Sequence, residues 1–478
     1  MKAYEIAQQV RENFEWLCKV PHLPKGEQAL AQKLMKRLSD AGWQPWQDTR
    51  GNVICDLPAA SGRETESMVA MQAHLDMVCA VGQEGYIPER DSIVPIERDG
   101  WLCTAGQSSL GADCGAGVAV MLWIAEHLEN RPPMRLIFTV EEEIGLLGAQ
   151  ALDPKGVAGV RYLINTDGFR WGRIVIGSAS GVREQFTRAL SFAAAPELPN
   201  GRAYRLTLEG FCGGHSGFDM GRPHENALLL MGEILRELRM ESPFALAHFA
   251  GGSACNAIPY HCTAEILTIA PVQEVIEQLI QPIQARWKLR EPEGRLTIES
   301  IAIPEKVWNG EVASGLLTVL GGFADGVYAM HPTMPHIVAD SSNLGQVYQD
   351  EEDLHLESMI RCMDLEAEKA LQTSHRAVTG MCGFTGTVVS RYPAWPSQEQ
   401  GHLCQIAAKA FTHVTGQQPE ITIQHVGLEP SFLLEKNPEM ECICVGMEIE
   451  GCHSPKERWK LDTIAPFVSM LCEILKSL

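Results

Sequence analysis

The stretch Val69-Ala-Met-Gln-Ala-His74-Leu-Asp76-Met-Val78 decides the fold that we predict for this chain. Its apolar residues predict a buried β-strand that brings a histidine and an aspartate to its carboxyl end. Side chains two residues apart project from the same face of a strand, so His74 and Asp76 can serve one site. Such a pair is common in proteins, and taken alone it fits a strand end with a solvated carboxylate better than it fits a functional site.

Apolar strands and helices alternate after this stretch. Residues 134–140 and 162–166 are predicted to be further buried strands, and residues 111–128 a loop that enters a helix. This alternation predicts an α/β fold, with a largely parallel sheet between two layers of helices. Ligands of such sheets bind at the carboxyl ends of the strands. Other functional side chains are therefore expected where the later strands end.

Acidic residues do lie at those positions. Glu142 and Glu143 follow the strand that ends at Val140, Asp167 follows the next strand, and Asp113 lies in a Gly-rich turn before a helix. Each one alone also fits an ordinary structural role, because acidic residues favour the first turns of helices and Asp-Gly is a common turn. Histidine or carboxylate at several consecutive strand ends instead predicts a metal site at this edge of the sheet.

The pattern of the chain changes near residue 188 and again near residue 390. Between these positions the predicted segments follow the order β, α, β, β, α, β, and a second, similar run comes after the first. This order predicts an inserted α+β domain of two ferredoxin-like lobes at 188–390. The two parts of the α/β domain are then residues 1–187 and 391–478.

Composition narrows the possible partners and the compartment. The chain has 478 residues, a formal net charge of -21 and a pI near 5.2, which argues against nucleic-acid and anionic-membrane partners. The N-terminal segment has no apolar signal core, and no apolar run is long enough to span a bilayer. The 15 cysteines include no C-x-x-C pair. Scattered thiols of this kind are typical of a reducing cytoplasm, where we expect the protein.

Seven motifs together resemble the M20 family of co-catalytic zinc metallopeptidases, related to glutamate carboxypeptidase and aminoacylase. They are Gln72-Ala-His74-Leu-Asp76-Met-Val78, Leu110-Gly-Ala-Asp113, Glu142-Glu143, Asn165-Thr-Asp167, Gly213-Gly-His215-Ser-Gly217, Asn256-Ala-Ile-Pro259 and Gly451-Cys-His453-Ser-Pro455. The resemblance covers almost the whole chain, and within the family it is greatest to the bacterial aminoacyl-histidine dipeptidases. It implies a catalytic α/β domain interrupted by a lid domain.

The same resemblance implies a site for two divalent metal ions, normally Zn²⁺. One ion would take His74 and Asp167, the other Glu143 and His453, and Asp113 would bridge both. Imidazole and carboxylate ligands suit zinc but also accept Mn²⁺ or Co²⁺, so the sequence leaves the metal open.

Three further residues have catalytic roles by resemblance. Glu142 is the expected general base, and Asp76 is expected to orient His74 through its second ring nitrogen. His215 would donate from the lid to the developing oxyanion, although a loop histidine held by flanking glycines is an equally simple reading. The candidates for substrate binding are Asn256, Arg361 and Glu429.

The expected function is hydrolysis of unblocked dipeptides, with Xaa-His dipeptides including beta-alanyl-histidine (carnosine) as substrates. An N-acyl amino acid deacylase with the same metal site is the alternative enzyme, and an inactive binding protein is the alternative without activity. A monomer or a homodimer fits the sequence. Two departures bear on these expectations: Cys114 stands where relatives usually have Asn, and Gly168-Phe-Arg170 lacks the acidic run of close relatives.

Overall fold

The computed structural model of the chain describes residues 2–196 and 200–478. The helices of these residues are α1 (Ala3–Leu17), α2 (Gln28–Asp40), α3 (Ala112–His127), α4 (Leu147–Ala151), α5 (Ala227–Glu241), α6 (Gln273–Trp287), α7 (Gly310–Gly322), α8 (Leu365–Met381), α9 (His402–Thr415), α10 (Pro430–Lys436) and α11 (Ile464–Ser477). None of the helices in the described part of the chain combines the length and the apolar character needed to cross a membrane.

The strands of the same residues are β1 (Trp46–Gln47), β2 (Val53–Leu57), β3 (Met68–His74), β4 (Ile96–Arg98), β5 (Trp101–Cys103), β6 (Met134–Thr139), β7 (Val160–Gly168), β8 (Arg173–Ser178), β9 (Gly181–Ala189), β10 (Phe192–Ala194), β11 (Arg202–Glu209), β12 (Gly214–His215), β13 (Phe244–Gly252), β14 (Ala257–Ile258), β15 (Cys262–Thr268), β16 (Arg295–Ile301), β17 (Lys306–Trp308), β18 (Gly326–Met330), β19 (Val338–Gln349), β20 (Asp353–Cys362), β21 (Thr385–Tyr392), β22 (Glu420–Gln424), β23 (Glu441–Gly446), β24 (Ile449–Glu450) and β25 (Arg458–Lys460).

Contacts divide the chain into two compact units. Unit 1 runs to Ser178 and resumes with Trp395–Ile423 and Leu428–Leu478, and unit 2 contains Ala179–Ala394 and Gln424–Gly427. The sequence predicts the first boundary at residue 187, but in the structure unit 1 ends at Ser178. The boundary is earlier because β9 pairs with β20 and β21 of unit 2. The second falls after residue 391 because β21 also belongs to unit 2.

Unit 1 is built on an eight-stranded sheet in the order β1-β2-β6-β3-β7-β23-β8-β22. The pairs β6–β3, β3–β7 and β7–β23 are parallel, whereas β2–β6 and β23–β8 are antiparallel. Every residue of β6 is buried, as expected for a strand covered on both faces. Helices α1, α3, α9 and α11 pack on one another, and α3 also contacts β3 and β7. The predicted α/β fold with a mixed, largely parallel sheet is confirmed.

A glycine allows α3 to lie directly against β7. A Cβ atom added at Gly117 would stand 2.4 Å from Thr166 Oγ1 and 2.8 Å from the Thr166 carbonyl oxygen. Even alanine would therefore force the helix away from the strand. This close approach brings the first turn of α3, with Asp113, next to the end of β7, with Asp167.

Unit 2 is built on a nine-stranded antiparallel sheet in the order β16-β11-β15-β13-β19-β20-β9-β21, with β18 paired to β19. Strands β11, β13, β15 and β16 with α5 and α6 form one lobe with the order β, α, β, β, α, β. Strands β9, β19, β20 and β21 with α7 and α8 form the other. Each lobe therefore has the ferredoxin-like order of elements, and the first strand of the second lobe precedes the whole first lobe in the chain.

The two lobes of unit 2 form one continuous structure. Their sheets join where Gly251 and Gly252 of β13 pair with Val347 and Gln346 of β19. One apolar cluster contains buried side chains of both lobes, among them Phe186, Leu206, Ile234, Leu316 and Leu356. Burial of this shared apolar surface stabilises the two lobes as one unit.

Candidate metal centre and substrate-binding residues

The carboxyl ends of the parallel strands bring the predicted ligands to one edge of the unit 1 sheet. β3 ends at His74, β7 carries Asp167 next to its last residue, and Glu143 lies in the turn that follows β6. Asp113 comes from the first turn of α3, and His453 from the loop between β24 and β25. Five residues from distant parts of the sequence thus converge where ligands of α/β sheets bind.

The Asp113 carboxylate lies at the centre of this cluster. Its Oδ1 is 3.0 Å from His74 Nε2, and its Oδ2 is 3.0 Å from His453 Nε2. His453 Nε2 is also 3.0 Å from Glu143 Oε2, and His74 Nε2 is 3.5 Å from Asp167 Oδ1. The two oxygens of one carboxylate therefore face two separate imidazole groups, each of which has a second carboxylate beside it.

These donor atoms fit metal ions. Glu143 Oε1 is buried and has no hydrogen-bond partner among the residues that the structure describes. The potential ligand atoms of Asp113, Glu143 and His453 all lie within 4.8 Å of one another, as do those of His74, Cys114 and Asp167. Buried carboxylates are seldom left unpaired in native proteins, so an oxygen of this kind at the centre of a ligand cluster points to a cation.

The electrostatics of the cluster also favour positive charge. Burial alone would lower the pKa of His74, but the surrounding carboxylates, Asp167 first among them, raise it well above its ordinary value. Hydrogen bonds to Asp113 and Glu143 raise the pKa of His453 to about 10. Both imidazole groups thus attract a proton to balance the carboxylates, and a bound cation would supply the same balance.

Glu142 lies beside these residues without contacting either histidine closely. Its Oε2 is 4.0 Å from His74 Nε2, and its side chain is 16% exposed. Burial raises the pKa of Glu142 well above its ordinary value, although the charge of His74 opposes this effect. A carboxylate with a raised pKa and access from the site is suited to accept and return a proton.

The structure gives Asp76 a different contact from the predicted one. The Asp76 carboxylate lies 3.7 Å from His74 Nδ1, and this ring nitrogen instead lies 2.9 Å from the Asp76 main-chain oxygen. The carboxylate oxygens accept hydrogen bonds from the backbone N–H groups of Glu142 and Glu143, at 2.9 and 3.0 Å. Asp76 therefore contacts His74 through its main-chain oxygen and the Glu142–Glu143 turn through its side chain.

Glu429 belongs to a buried polar network beneath the cluster. Its Oε2 accepts hydrogen bonds from Gln72 Nε2 at 2.5 Å and from Thr139 Oγ1 at 2.9 Å. Asn165 Nδ2 donates to Gln72 Oε1 at 2.6 Å. Glu429 Oε1 is buried and has no hydrogen-bond partner in the described part of the chain. Glu429 is a predicted substrate-binding residue, whereas Gln72, Thr139 and Asn165 have no predicted role, because polar residues on apolar strands look ordinary in the sequence.

The remaining predicted residues lie in unit 2. His215 Nδ1 accepts hydrogen bonds from the backbone N–H groups of Gly217 and Phe218, at 3.1 and 3.3 Å. Burial, together with the positive charge of Arg361, lowers the pKa of His215 to about 4. The ring is therefore neutral at pH 7, and with Nδ1 as acceptor its hydrogen resides on Nε2. His215 thus presents an N–H donor.

Arg361 and Asn256 line one cavity of about 450 Å³ in unit 2. Arg361 is 3% exposed, and it donates to the Tyr392 hydroxyl through Nη1 and to Ser216 Oγ through Nε at 3.3 Å. These two bonds use two of the five donors of a guanidinium group. A cavity with a buried arginine in its wall suits a carboxylate ligand.

A family model described as Peptidase family M20/M25/M40 matches residues 70–477. The chain belongs to peptidase family M20. This M20 peptidase is 27% identical over 471 residues to the cytosol non-specific dipeptidase of Escherichia coli (strain K12), which covers 97% of the chain and 96% of that relative. It matches the crystal structure of aminoacylhistidine dipeptidase from Vibrio alginolyticus with a TM-score of 0.88 and 27% identity, over 98% of this chain and 96% of that one.

A more distant match concerns the fold alone. The crystal structure of a Bacillus subtilis protein described as a dinuclear metal binding peptidase from the M20 family has a TM-score of 0.50 and 14% identity. The match covers 99% of this M20 peptidase and 100% of that chain.

Proposed function

We propose that this M20 peptidase is a dinuclear metallo-dipeptidase that hydrolyses unblocked dipeptides. The observation that carries the proposal is the Asp113 carboxylate, whose two oxygens each lie 3.0 Å from a different imidazole, those of His74 and His453. A carboxylate shared between two sets of ligands suits two adjacent cations. The dipeptidase names of the Escherichia coli and Vibrio alginolyticus relatives support a substrate of two residues.

Each proposed cation has its own ligands in unit 1. His74 and Asp167 would hold one, Glu143 and His453 the other, and Asp113 both. Imidazole and carboxylate donors suit Zn²⁺, which we propose as the metal, while Mn²⁺ or Co²⁺ fit the same donors. When bound, such ions act as Lewis acids that lower the pKa of water and polarise the scissile carbonyl group.

Glu142 moves the proton in this reaction. Its carboxylate accepts a proton from the attacking water as the water oxygen bonds to the carbonyl carbon of the dipeptide. It then gives that proton to the amide nitrogen as the C–N bond breaks, so that the second amino acid leaves with a neutral amine. The backbone bonds to the Asp76 carboxylate hold the turn that carries Glu142 in place for both transfers.

Glu429 supports a requirement for a free substrate amine. Its buried Oε1 lacks a partner among the described residues, and Oε2 is already fixed by Gln72 and Thr139. An ammonium group of an unblocked dipeptide would satisfy this oxygen, whereas an N-acyl group has no positive charge to offer. This feature favours the dipeptidase over the alternative, an N-acyl amino acid deacylase.

We assign recognition of the substrate carboxylate to unit 2, which we propose acts as the lid. Arg361 would bind the carboxylate with its remaining donors, and Asn256 would contribute from the same cavity wall. For His215 we propose donation from Nε2 to the developing oxyanion, because the ring is neutral with its Nδ1 already used as an acceptor.

We propose Xaa-His dipeptides, including beta-alanyl-histidine, as the preferred substrates, since the Vibrio alginolyticus relative is named for such activity. The test is a matched panel on metal-loaded protein: beta-alanyl-histidine, glycyl-histidine, glycyl-leucine, a tripeptide and an N-acetyl amino acid. Faster turnover of the two histidine dipeptides is expected. Preference for the acetylated substrate would establish the deacylase instead, and no turnover of any member would support the binding protein.

Localisation and assembly complete the proposal. We propose a cytoplasmic protein, in line with the name of the Escherichia coli relative, and a monomer or homodimer whose His215 serves its own chain. Mixing inactive His215→Ala subunits with inactive Asp113→Asn subunits tests the last point. We expect the mixture to remain inactive. Recovered dipeptidase activity would show that one subunit supplies His215 to another.

A further inference from the structure

Glu457 is a buried carboxylate that belongs to none of the seven motifs. It is 2% exposed and lies directly before β25. Its Oε2 accepts hydrogen bonds from the backbone N–H groups of Leu110 and Gly111, at 2.8 and 3.0 Å. Its Oε1 accepts from those of Ala112 and Asp113, at 2.8 and 3.2 Å. One side chain thus binds four consecutive amide groups.

These four bonds connect the two loops that carry Asp113 and His453. Glu457 lies in the same loop as His453, and the four amides belong to the turn that leads into α3. Gly111 stands at the N-cap of this helix and has no side chain with which to accept from the amides. Glu457 therefore supplies, from the C-terminal part of the chain, the acceptors that the turn itself lacks.

We propose that Glu457 is a positioning residue that holds the Asp113 carboxylate in register with His453 and thereby sets the metal affinity of the centre. The inference rests on the proposed function, because it assumes that Asp113 is a shared ligand. Hydrogen bonds to an ionised acceptor are roughly twice as strong as neutral ones. Loss of a side chain that supports a ligand costs about 10- to 100-fold in metal affinity in other metal sites.

The test is Glu457→Gln, measured by titrating metal-free protein with Co²⁺ and following the visible absorption of the bound ion. Glutamine replaces one acceptor oxygen with an NH₂ group that faces backbone N–H groups, so two of the four bonds are lost. We expect Co²⁺ to bind about 10- to 100-fold more weakly and with an altered spectrum. Glu450→Gln is the matched control, because the Glu450 side chain forms an exposed ion pair with Arg458. Its titration should equal that of the wild type.

Three results would overturn the inference or its basis. If Glu457→Gln binds Co²⁺ with the affinity and spectrum of the wild type, the inference is wrong. This holds even if the variant has a lower urea midpoint without metal, because Glu457 would then have a structural role only. If Glu457→Gln does not fold, Glu457→Asp replaces it in the test, because aspartate keeps the charge but is one methylene too short. Wild-type Co²⁺ affinity in Glu457→Asp would overturn the inference. If the wild-type protein itself binds no Co²⁺, the proposed metal centre fails.

Discussion

Several buried carboxylates around the cluster accept hydrogen bonds from backbone amides instead of facing the proposed metal ions. Asp76 accepts from two amides of the 141–143 turn, and the Glu27 carboxylate accepts from the Glu141 N–H at 2.9 Å. Glu457 does the same for the turn before α3. A buried carboxylate is stable only when its oxygens are hydrogen-bonded, and loop amides are the nearest donors. The acidic residues of one site thus divide into those whose carboxylates face the imidazole groups of the cluster and those whose carboxylates bind backbone amides of the loops.

Glu142→Gln separates proton transfer from metal binding. Glutamine keeps the size of the side chain but cannot accept the proton, so kcat should fall by about 10²- to 10⁴-fold. The metal content, measured by atomic absorption, should equal that of the wild type. Glu141→Gln is the matched control, because Glu141 pairs with Arg50. Its kcat should change far less, and near-normal kcat in Glu142→Gln would remove Glu142 from the role of general base.

His425 should make unit 2 sensitive to acid. Burial, followed by the charge of Arg361, lowers its pKa from 6.5 to about 3, and its Nδ1 has no partner among the described residues. Because the folded pKa is the lower one, His425 contributes stability above about pH 6.5 that is lost as the pH falls towards 3. Between pH 6.5 and 5 the loss should be about 1 to 2 kcal/mol.

The measurement for His425 is the urea midpoint of unit 2 as a function of pH. His425→Gln should flatten the fall of this midpoint on the acid side, whereas His413→Gln, at an exposed position in α9, should leave it unchanged. Equal acid sensitivity in the wild type and in His425→Gln would contradict the prediction.

Elements differ in how far the sequence predicts them. β3, β6 and β7 are apolar runs whose polar ends identify them, and their positions follow from the pattern alone. The ligands proposed at their ends follow from the family resemblance as well as from the pattern. β9 was not predicted, because Glu184 interrupts its apolar face. In the structure Glu184 is buried and lies 2.6 Å from His375 Nδ1 of α8. A partner so distant in the chain leaves no local signal, and the same reason hides Glu457.

Gly117→Ala should separate α3 from β7. The added Cβ would stand 2.4 Å from Thr166 Oγ1, and overpacking of this kind costs about 1 to 3 kcal/mol. A lower urea midpoint for unit 1 and weaker Co²⁺ binding are expected, because Asp113 and Asp167 move apart with the two elements. Gly380→Ala in α8 is the control, since its Cβ would meet no atom within 4 Å and alanine favours helix. A wild-type midpoint and affinity in Gly117→Ala would contradict the prediction.

At the scale of the whole molecule, the proposed ligands all belong to unit 1 and come from the first and the last of its three segments. Metal that binds only the folded state stabilises unit 1 by about 4 kcal/mol when its free concentration is 1,000 times the Kd. Removal of metal with a chelator should therefore lower the thermal midpoint of unit 1 and increase hydrogen exchange in the 110–113 turn. Exchange in α5 of unit 2 should not change. Identical exchange in the 110–113 turn with and without chelator would argue against the metal centre.

The place of β8 in the sheet has a consequence for synthesis of the protein. Its neighbours β23 and β22 begin at Glu441 and Glu420, whereas β8 ends at Ser178. At about 5 to 20 residues per second, a ribosome needs roughly 10 to 50 s to make the intervening chain. During that time β8 of the nascent chain has no strand to pair with, and His453 does not yet exist. The proposed activity can therefore begin only after the ribosome has passed the codon for His453.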